Sequence, residues 1–268
     1  MNKSQNKPSA ALRVDRLLAN LGYGTRKDIQ TQVKAGRIYL DGMPLRDASA
    51  KIALTSDLPE RLRVGGEKLD PLPGLTLIMH KPLGLTCSHR EDGPLVHDLL
   101  PPRWRLRKPI ISTVGRLDKD TSGLLLMTDD GKLLHRIIAP KNKIAKRYRV
   151  TLARPLSGTE TATFASGMLM LDGEDKPLLP AVLEKAPHDY HAGTQTEDTG
   201  PVVFLTVTEG RYHQVRRMFA AVGNHVTYLH RDKIGGLHLP EELEAGAFRV
   251  LDATEVDSIF SPAQQSGT

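Results

Sequence analysis

Between Val114 and Gly131 the chain reads VGRLDKDTSGLLLMTDDG, an apolar run from Leu124 to Met127 fenced by Asp118 and Asp120 before it and by Asp129 and Asp130 after it. A run this short and apolar reads as a buried strand, and the acids at its ends put those ends in loops. Arg116 stands two residues ahead of the first acid. The carboxylates are metal ligands, a phosphoryl-transfer nucleophile, turn residues or a lone reactive acid, and each reading makes its own demand on the surrounding sequence.

Metal binding asks for more ligands than this stretch supplies. The chain has no EF-hand loop, no H-E-x-x-H and no dense His/Asp cluster, so no metal is expected. Asp118-Lys-Asp120-Thr-Ser122 fits the D-x-D-x-[TS] spacing of haloacid-dehalogenase-type phosphatases. Their nucleophile projects from the C-terminal end of a buried strand, whereas here the apolar run follows the acids and no downstream G-D-x-x-x-D exists. Asp129-Asp130-Gly131 has the composition of a tight turn. Asp118 keeps two readings. It is a loop-capping acid, with Asp120, Thr121 and Ser122 bonding their own backbone. Or it is a carboxylate kept ionised by a guanidinium, able to act as nucleophile or base on a sugar carbon.

Charge narrows the choice of partner. Residues 1–60 carry 10 Lys/Arg against 6 Asp/Glu, residues 61–150 carry 18 against 9, and residues 151–268 carry 9 against 16. All the excess positive charge lies in the first half, where a polyanion such as RNA or DNA is the expected partner. No apolar run approaches the ~18 residues of a membrane span, and MNKSQNKPSA has no apolar core of a secretory signal. A lone cysteine, Cys87, excludes a disulfide framework and suits a reducing cytoplasm.

Along the chain, residues 1–11 and 261–268 read as disordered tails. Val14, Leu17, Leu18 and Leu21 predict a helix stopped by Gly22, and Thr25 with Asp28 in the capping-box position predicts a second, closed at Gly36. RIYLDGMPL follows as a short strand with an Asp41–Gly42 turn. This helix–helix–strand unit, residues 12–62, carries Arg13, Arg16, Arg26, Lys27, Lys34 and Arg37, a density that favours a nucleic-acid patch. Residues 63–74, rich in Gly and Pro, read as a linker.

Residues 75–260 read as a strand-rich α+β domain. Strands are expected in LTLIMHKPLGLTCS, KRYRVTL, LPAVLEK and VVFLTVTEG, with a helical pattern around Thr159–Gly167. Arg103, Arg105, Arg107 and Lys108 crowd a loop around Trp104 that suits phosphate contact or flexibility. In GRYHQVRRMFAAVGN, Val215, Met218, Phe219 and Val222 form one helical stripe ended by Gly223. His213 and Arg217 lie opposite that stripe. Arg216 lies at its border, where an arginine lays its stem on the core and aims its guanidinium into a cleft.

Three segments in order then resemble the RsuA/RluB-type pseudouridine synthases. GRLDKDTSGLLLMTDDG is similar to that family's catalytic motif, KRYRV to its second motif with its tyrosine, and EGRYHQVRRMFAAVGNHVTYLHRDKIGGL to its third. The resemblance spans residues from about 12 to 255. GRYHQVRRMFAAVG resembles the branch acting on small-subunit (16S) ribosomal RNA, at the uridine near position 516, whereas branches acting on the large subunit have Asn-Arg in place of Tyr212-His213. The family's Asn-Lys-Pro is His80-Lys81-Pro82 here, and the insert around Trp104 is longer than the pattern.

The resemblance implies a small N-terminal S4-like RNA-binding domain and a mixed, mainly antiparallel-sheet catalytic domain, α+β overall. It implies that Asp118 is the catalytic aspartate, Tyr148 the tyrosine packing on the target base, and Arg216 the basic residue paired with the aspartate. The expected RNA contacts are Arg13, Arg16, Arg26, Lys27, Arg37, Lys81, Arg116, Lys146, Arg147, Arg211, His213 and Arg217. It implies no cofactor, and ribosomal RNA or a small-subunit assembly intermediate as partner; nothing in the sequence speaks to oligomeric state, and a monomer is the default expectation. The rival readings are a non-catalytic S4-type RNA-binding or ribosome-assembly factor, and a synthase acting on 23S ribosomal RNA.

Overall fold

In the computed structural model, residues 11–88, 90–187 and 200–261 are described; of the tails expected at 1–11 and 261–268, residues 1–10 and 262–268 lie outside the described residues. The chain forms two units. The first takes Met1–Leu75 together with Leu100–Ser112 and Thr128–Asp130; the second takes Thr76–Leu99, Thr113–Met127 and Gly131–Thr268.

The first unit begins with β1 (Ala11–Arg13), which starts one residue inside the stretch read as a tail and shortens the expected first helix to α1 (Val14–Asn20). α2 (Arg26–Lys34) starts at the predicted capping box: Thr25 Oγ1 accepts from Asp28 N–H and the Asp28 carboxylate accepts from Thr25 N–H. β2 (Ile38–Leu40) and β3 (Met43–Pro44) join through Asp41 and Gly42, whose φ values of 52° and 76° make the mirror-image turn that matches strand twist. β4 (Lys51–Ala53), α3 (Leu58–Arg61), β5 (Leu62–Val64) and β6 (Glu67–Lys68) complete it, with β1 on β4 and a β3-β2-β5-β6 sheet. Val14, Leu17, Leu18, Leu21, Ile29 and Val33 make its core, which is the stripe read from the periodicity.

The arginine-rich loop corrects an expectation. Arg103 pairs with Asp70 and lies 4.3 Å over the Tyr23 ring. Arg107 is 1 % exposed and bonds Asp129 at 2.7 Å, the Pro71 carbonyl at 2.8 Å and the Leu72 carbonyl at 3.1 Å. Its guanidinium is an internal tie, neither a phosphate contact nor part of a flexible segment.

In the second unit β7 (Thr76–Lys81), β8 (Ser112–Thr113), β9 (Ser122–Thr128), β10 (Lys146–Leu152), β11 (Val182–Lys185), β12 (Val202–Val207), β13 (Val226–Ile234), β14 (Leu237–His238) and β15 (Phe248–Val250) form one sheet, ordered β11-β12-β10-β13-β9-β7-β15 with β8 on β9 and β14 on β13. The β10–β12, β10–β13, β11–β12, β13–β14 and β7–β15 pairs are antiparallel; β13 and β9 run parallel. The helices are α4 (Gly131–Ile138), α5 (Glu160–Ala165), α6 (Gln214–Ala221) and α7 (Ala253–Ser258). Phe164 of α5 and Phe219 of α6 meet edge to face at 5.2 Å in a core shared with β10, β12 and β13. Leu124 and Leu126 face a second core with Ile137 and Ile259. All seven residues of β9 are buried, so the run that opened the sequence reading is a strand covered on both faces. The turn expected at Gly131 opens α4, and the residues after Gly223 become β13, the longest strand; neither element was evident from periodicity.

Candidate active site

The site is built from the start of β9 outward. Ser122 and Gly123 pair with His230 and Arg231 of β13. Gly123 has φ +107°, and a Cβ there would run into the Arg231 backbone carbonyl, so only glycine admits this approach of the two strands. Ser122 Oγ bonds His230 Nδ1 at 2.9 Å and the Tyr228 hydroxyl at 2.7 Å. Burial, with Arg149 and His80 nearby, pushes the His230 imidazole down to about 3, so it stays neutral at physiological pH.

Ahead of Ser122 the chain makes a tight turn, in which Thr121 N–H donates to the Asp118 carbonyl at 3.1 Å. Gly84 N–H holds the Lys119 carbonyl at 2.8 Å. Lys81, at the end of β7, is fully buried and donates from Nζ to the Thr121 carbonyl at 2.8 Å and the Pro82 carbonyl at 3.0 Å. An RNA contact was expected of Lys81; its burial excludes that, and it holds the turn instead.

α6 closes the other side. Asp118 has a side chain 35 % exposed, and His213 Nε2 lies 3.5 Å from its Oδ1. His213 caps α6 in the left-handed region, φ +48°, stacked on the exposed Tyr212 ring at 3.9 Å. Arg216 departs from the expected pairing. Its Nη2 meets the Asp120 carboxylate at 2.9 Å and the Asp120 carbonyl at 2.9 Å, while Nη1 donates to the Val226 carbonyl at 3.0 Å. Two bonds hold this guanidinium on Asp120 and a third ties it to Val226, and Asp118 is left to His213.

Tyr148 sits on β10 opposite Arg231 of β13, the strand that also pairs with Ser122, so Asp118 and Tyr148 are carried by three neighbouring strands. Lys146 is two residues away on the same face of β10. Burial, and then Arg231, lowers its ammonium to about 8.

The other expected RNA contacts divide sharply. Arg147 pairs with Asp232 at 2.7 Å. Arg211 is held by Glu174, Glu209 and the Lys176 and Pro177 carbonyls, and Arg217 by Glu174 and the Asp172 and Tyr212 carbonyls. These three brace the protein. Arg116 reaches Glu91 on the surface. In the first unit Arg13 and Arg26 both bind buried Asp15, whereas Arg16, Lys27 and Arg37 are exposed. Ser122 was expected to bond the backbone of its own loop and instead bonds His230 and Tyr228; Gly123, His230 and Arg231 were not singled out in the sequence, where the polar His230-Arg231 pair inside LHRDKI was the signal for β13. Among the described residues no group of His, Cys, Asp or Glu is arranged to hold a metal ion, and no helix is long and apolar enough to cross a membrane.

A partly exposed carboxylate on a turn tied from β7, β9 and α6, with the His213 imidazole 3.5 Å away and the Lys81 ammonium within electrostatic reach, suits attack or proton abstraction on a substrate that brings its own leaving group. The RNA pseudouridylate synthase family pattern matches residues 76–221. The ribosomal small subunit pseudouridine synthases A of Vibrio cholerae and Escherichia coli are each 39 % identical, over 93 % and 92 % of this chain and the whole of those proteins. A Bacillus subtilis protein described as an uncharacterized RNA pseudouridine synthase is 37 % identical over 94 % of this chain and 99 % of its own length. A crystal structure of a pseudouridylate synthase, 35 % identical, superposes with a TM-score of 0.61 over 92 % of this chain and 99 % of that one. With three motifs, a full-length match and a shared fold in agreement, this chain belongs to the RNA pseudouridylate synthase family.

Proposed function

We propose that this protein isomerises one uridine of small-subunit (16S) ribosomal RNA, the one near position 516, to pseudouridine, as a cytoplasmic monomer. The observation that carries the substrate is the full-length 39 % identity to proteins named for the ribosomal small subunit. The reaction breaks the N1–C1′ bond, turns the uracil and rejoins it through C5. A glycoside hydrolase needs a second carboxylate to activate water and protonate a poor leaving group. Uracil departs as a stabilised anion and water is to be excluded, so Asp118 serves alone, attacking the sugar or removing its 2′ proton.

The uridine has to leave its stack to reach Asp118. Tyr148 offers the flipped base a face, worth ~1–3 kcal/mol. Arg216 and Lys81 keep the Asp118 turn in shape from two sides. The N-terminal unit is read as the S4-like domain, with Arg16, Lys27 and Arg37 meeting phosphates, so binding weakens steeply with salt.

The test is to map pseudouridine in ribosomal RNA, by carbodiimide-adduct primer extension, in cells lacking the gene. The mark near position 516 is expected to vanish, to return with the wild-type gene and not with Asp118→Ala. A mark that persists in the deletion strain removes the substrate assignment, and a mark restored by Asp118→Ala removes the mechanism.

A further inference from the structure

The strand that carries Tyr148 and its neighbour β13 carry two cations that no carboxylate answers. Arg231 is 2 % exposed. Its Nε donates to the Leu124 carbonyl at 2.9 Å, its Nη1 lies 3.4 Å from the Tyr148 hydroxyl, and its Nη2 is buried with no partner. Lys146, on the same face as Tyr148, donates to the Ile144 carbonyl at 3.2 Å. Neither forms an ion pair among the described residues. The charged groups acting on Lys146 are Arg231 and Glu209, and Glu209 is itself bound by Arg211 and Gln214. Lys81 is a third cation within electrostatic reach of Arg231, alongside Asp118 and Asp120. A buried guanidinium with an open N–H is an expensive arrangement, and such groups concentrate where a substrate completes them.

We propose that Arg231, assisted by Lys146, stabilises the uracil anion between the breaking of the old bond and the making of the new one, so that the base stays bound while it turns. The inference rests on the reading that Tyr148 receives the flipped base. The N1–C1′ electron pair leaves with the ring, whose charge spreads over N1, O2 and O4, and C1′ is either bonded to the Asp118 carboxylate or, where Asp118 has removed the 2′ proton, part of a C1′=C2′ double bond. C5 then bonds to C1′ as the carboxylate leaves or the 2′ proton returns, the C5 proton passes to solvent, and N1 takes up a proton. The ring is anionic only during this interval, so the cations act on the reaction more than on ground-state binding. The flipped nucleotide has one other anion, its phosphate. The enclosure of Arg231 behind Tyr148 favours the ring, because the phosphate stays with the solvent-facing backbone.

The experiment is single-turnover conversion of small-subunit particles from cells lacking the gene, with wild type, Asp118→Ala, Arg231→Gln, Arg231→Lys and Lys146→Met. Arg231→Gln is expected to slow the saturated rate by about 10²-fold, as loss of a charge-stabilising donor does, with particle affinity little changed and Arg231→Lys in between. Weakened affinity with an unchanged saturated rate would assign Arg231 to the phosphate and overturn the proposal. If Arg231→Gln does not fold, as judged by thermal unfolding, Lys146→Met carries the test. Wild type is expected to slow as pH rises through about 8 and Lys146 loses its proton, and Lys146→Met is expected to be slower throughout and to lack that limb. An unchanged rate and profile would overturn the proposal. Inactive wild type would instead remove the proposed function itself, while active wild type with equally active Arg231→Gln removes only this inference.

Discussion

Asp118 and Asp129 stand at opposite ends of one buried strand, and the difference between them separates a structural carboxylate from a chemical one. Asp129 has a side chain 1 % exposed with both oxygens taken: Oδ2 accepts from Arg107 Nη2 at 2.7 Å and Nε at 3.2 Å, and Oδ1 accepts from Gly74 N–H at 2.8 Å. Asp118 is 35 % exposed, and an imidazole nitrogen of His213 lies 3.5 Å from its Oδ1. Here the backbone around the acid is tied down, by Lys81, Gly84, Thr121 and the Asp120–Arg216 pair, while the acid itself is left with capacity. Rigid support around an unsaturated carboxylate is what preorganised chemistry asks for. A saturated carboxylate has nothing left to offer a substrate.

The sharpest way to break this contrast is to remove each acid in turn. Asp118→Ala is expected to abolish pseudouridine formation, by ~10³-fold or more, as removal of an essential nucleophile or base does. Its urea unfolding should stay within ~0.5 kcal/mol of wild type, as at an exposed position. Asp129→Ala should reverse the pattern. It leaves Arg107 buried without its partner and should lower stability by ~3–5 kcal/mol, while the protein that remains folded turns over particles at nearly the wild-type rate. Arg107→Met combined with Asp129→Leu should recover most of the loss. If Asp129→Ala were as inactive as Asp118→Ala while fully folded, the division between the two ends would be wrong.

The contrast was half legible in the sequence. Local rules located β9, the Asp41–Gly42 turn, the Thr25 capping box and the stripe of α6, because each depends on residues within a few positions. The motif resemblance pointed to Asp118. Periodicity said nothing of what meets across long separations: Arg107 on Asp129, or Arg216 on Asp120, 96 residues away. A surface reading of Lys81, Arg107, Arg211 and Arg217 failed for the same reason. A long cationic side chain is placed by its partners, and partners from distant segments leave no trace in a window of ten residues.

The support under the Asp118 end has its own pH signature. Imidazole His230 has an ordinary value near 6.5 and is held down to about 3 in the fold. The native state keeps it neutral while the unfolded chain protonates it, so its contribution is fully present above pH 6.5 and is lost as pH falls toward 3. In that window each pH unit should cost about 1.4 kcal/mol from this residue. His230→Asn, which keeps a polar partner for Ser122, should flatten the slope by that amount. Urea midpoints at pH 6.5, 5.5 and 4.5 decide it. Parallel slopes for the two proteins would mean that the fold opens to let His230 protonate.

The smallest effect belongs to His213, and it tests whether strain is confined to the chemical end of β9. Its φ of +48° puts a bulky residue in the left-handed region, which costs ~1–2 kcal/mol for an ordinary L side chain. Asn occupies that region more readily, because its short polar side chain bonds locally. His213→Asn should therefore raise stability by ~0.5–1 kcal/mol. The same change removes the nitrogen 3.5 Å from Asp118 and the ring stacked on Tyr212. Single-turnover rates should then fall by about 10-fold, the low end of what a lost electrostatic contact costs. A variant that is both more stable and slower would mean that the fold tolerates strain at this end to hold a group beside its reactive acid. A variant that is more stable and equally fast would reduce the His213 conformation to a feature of the α6 cap.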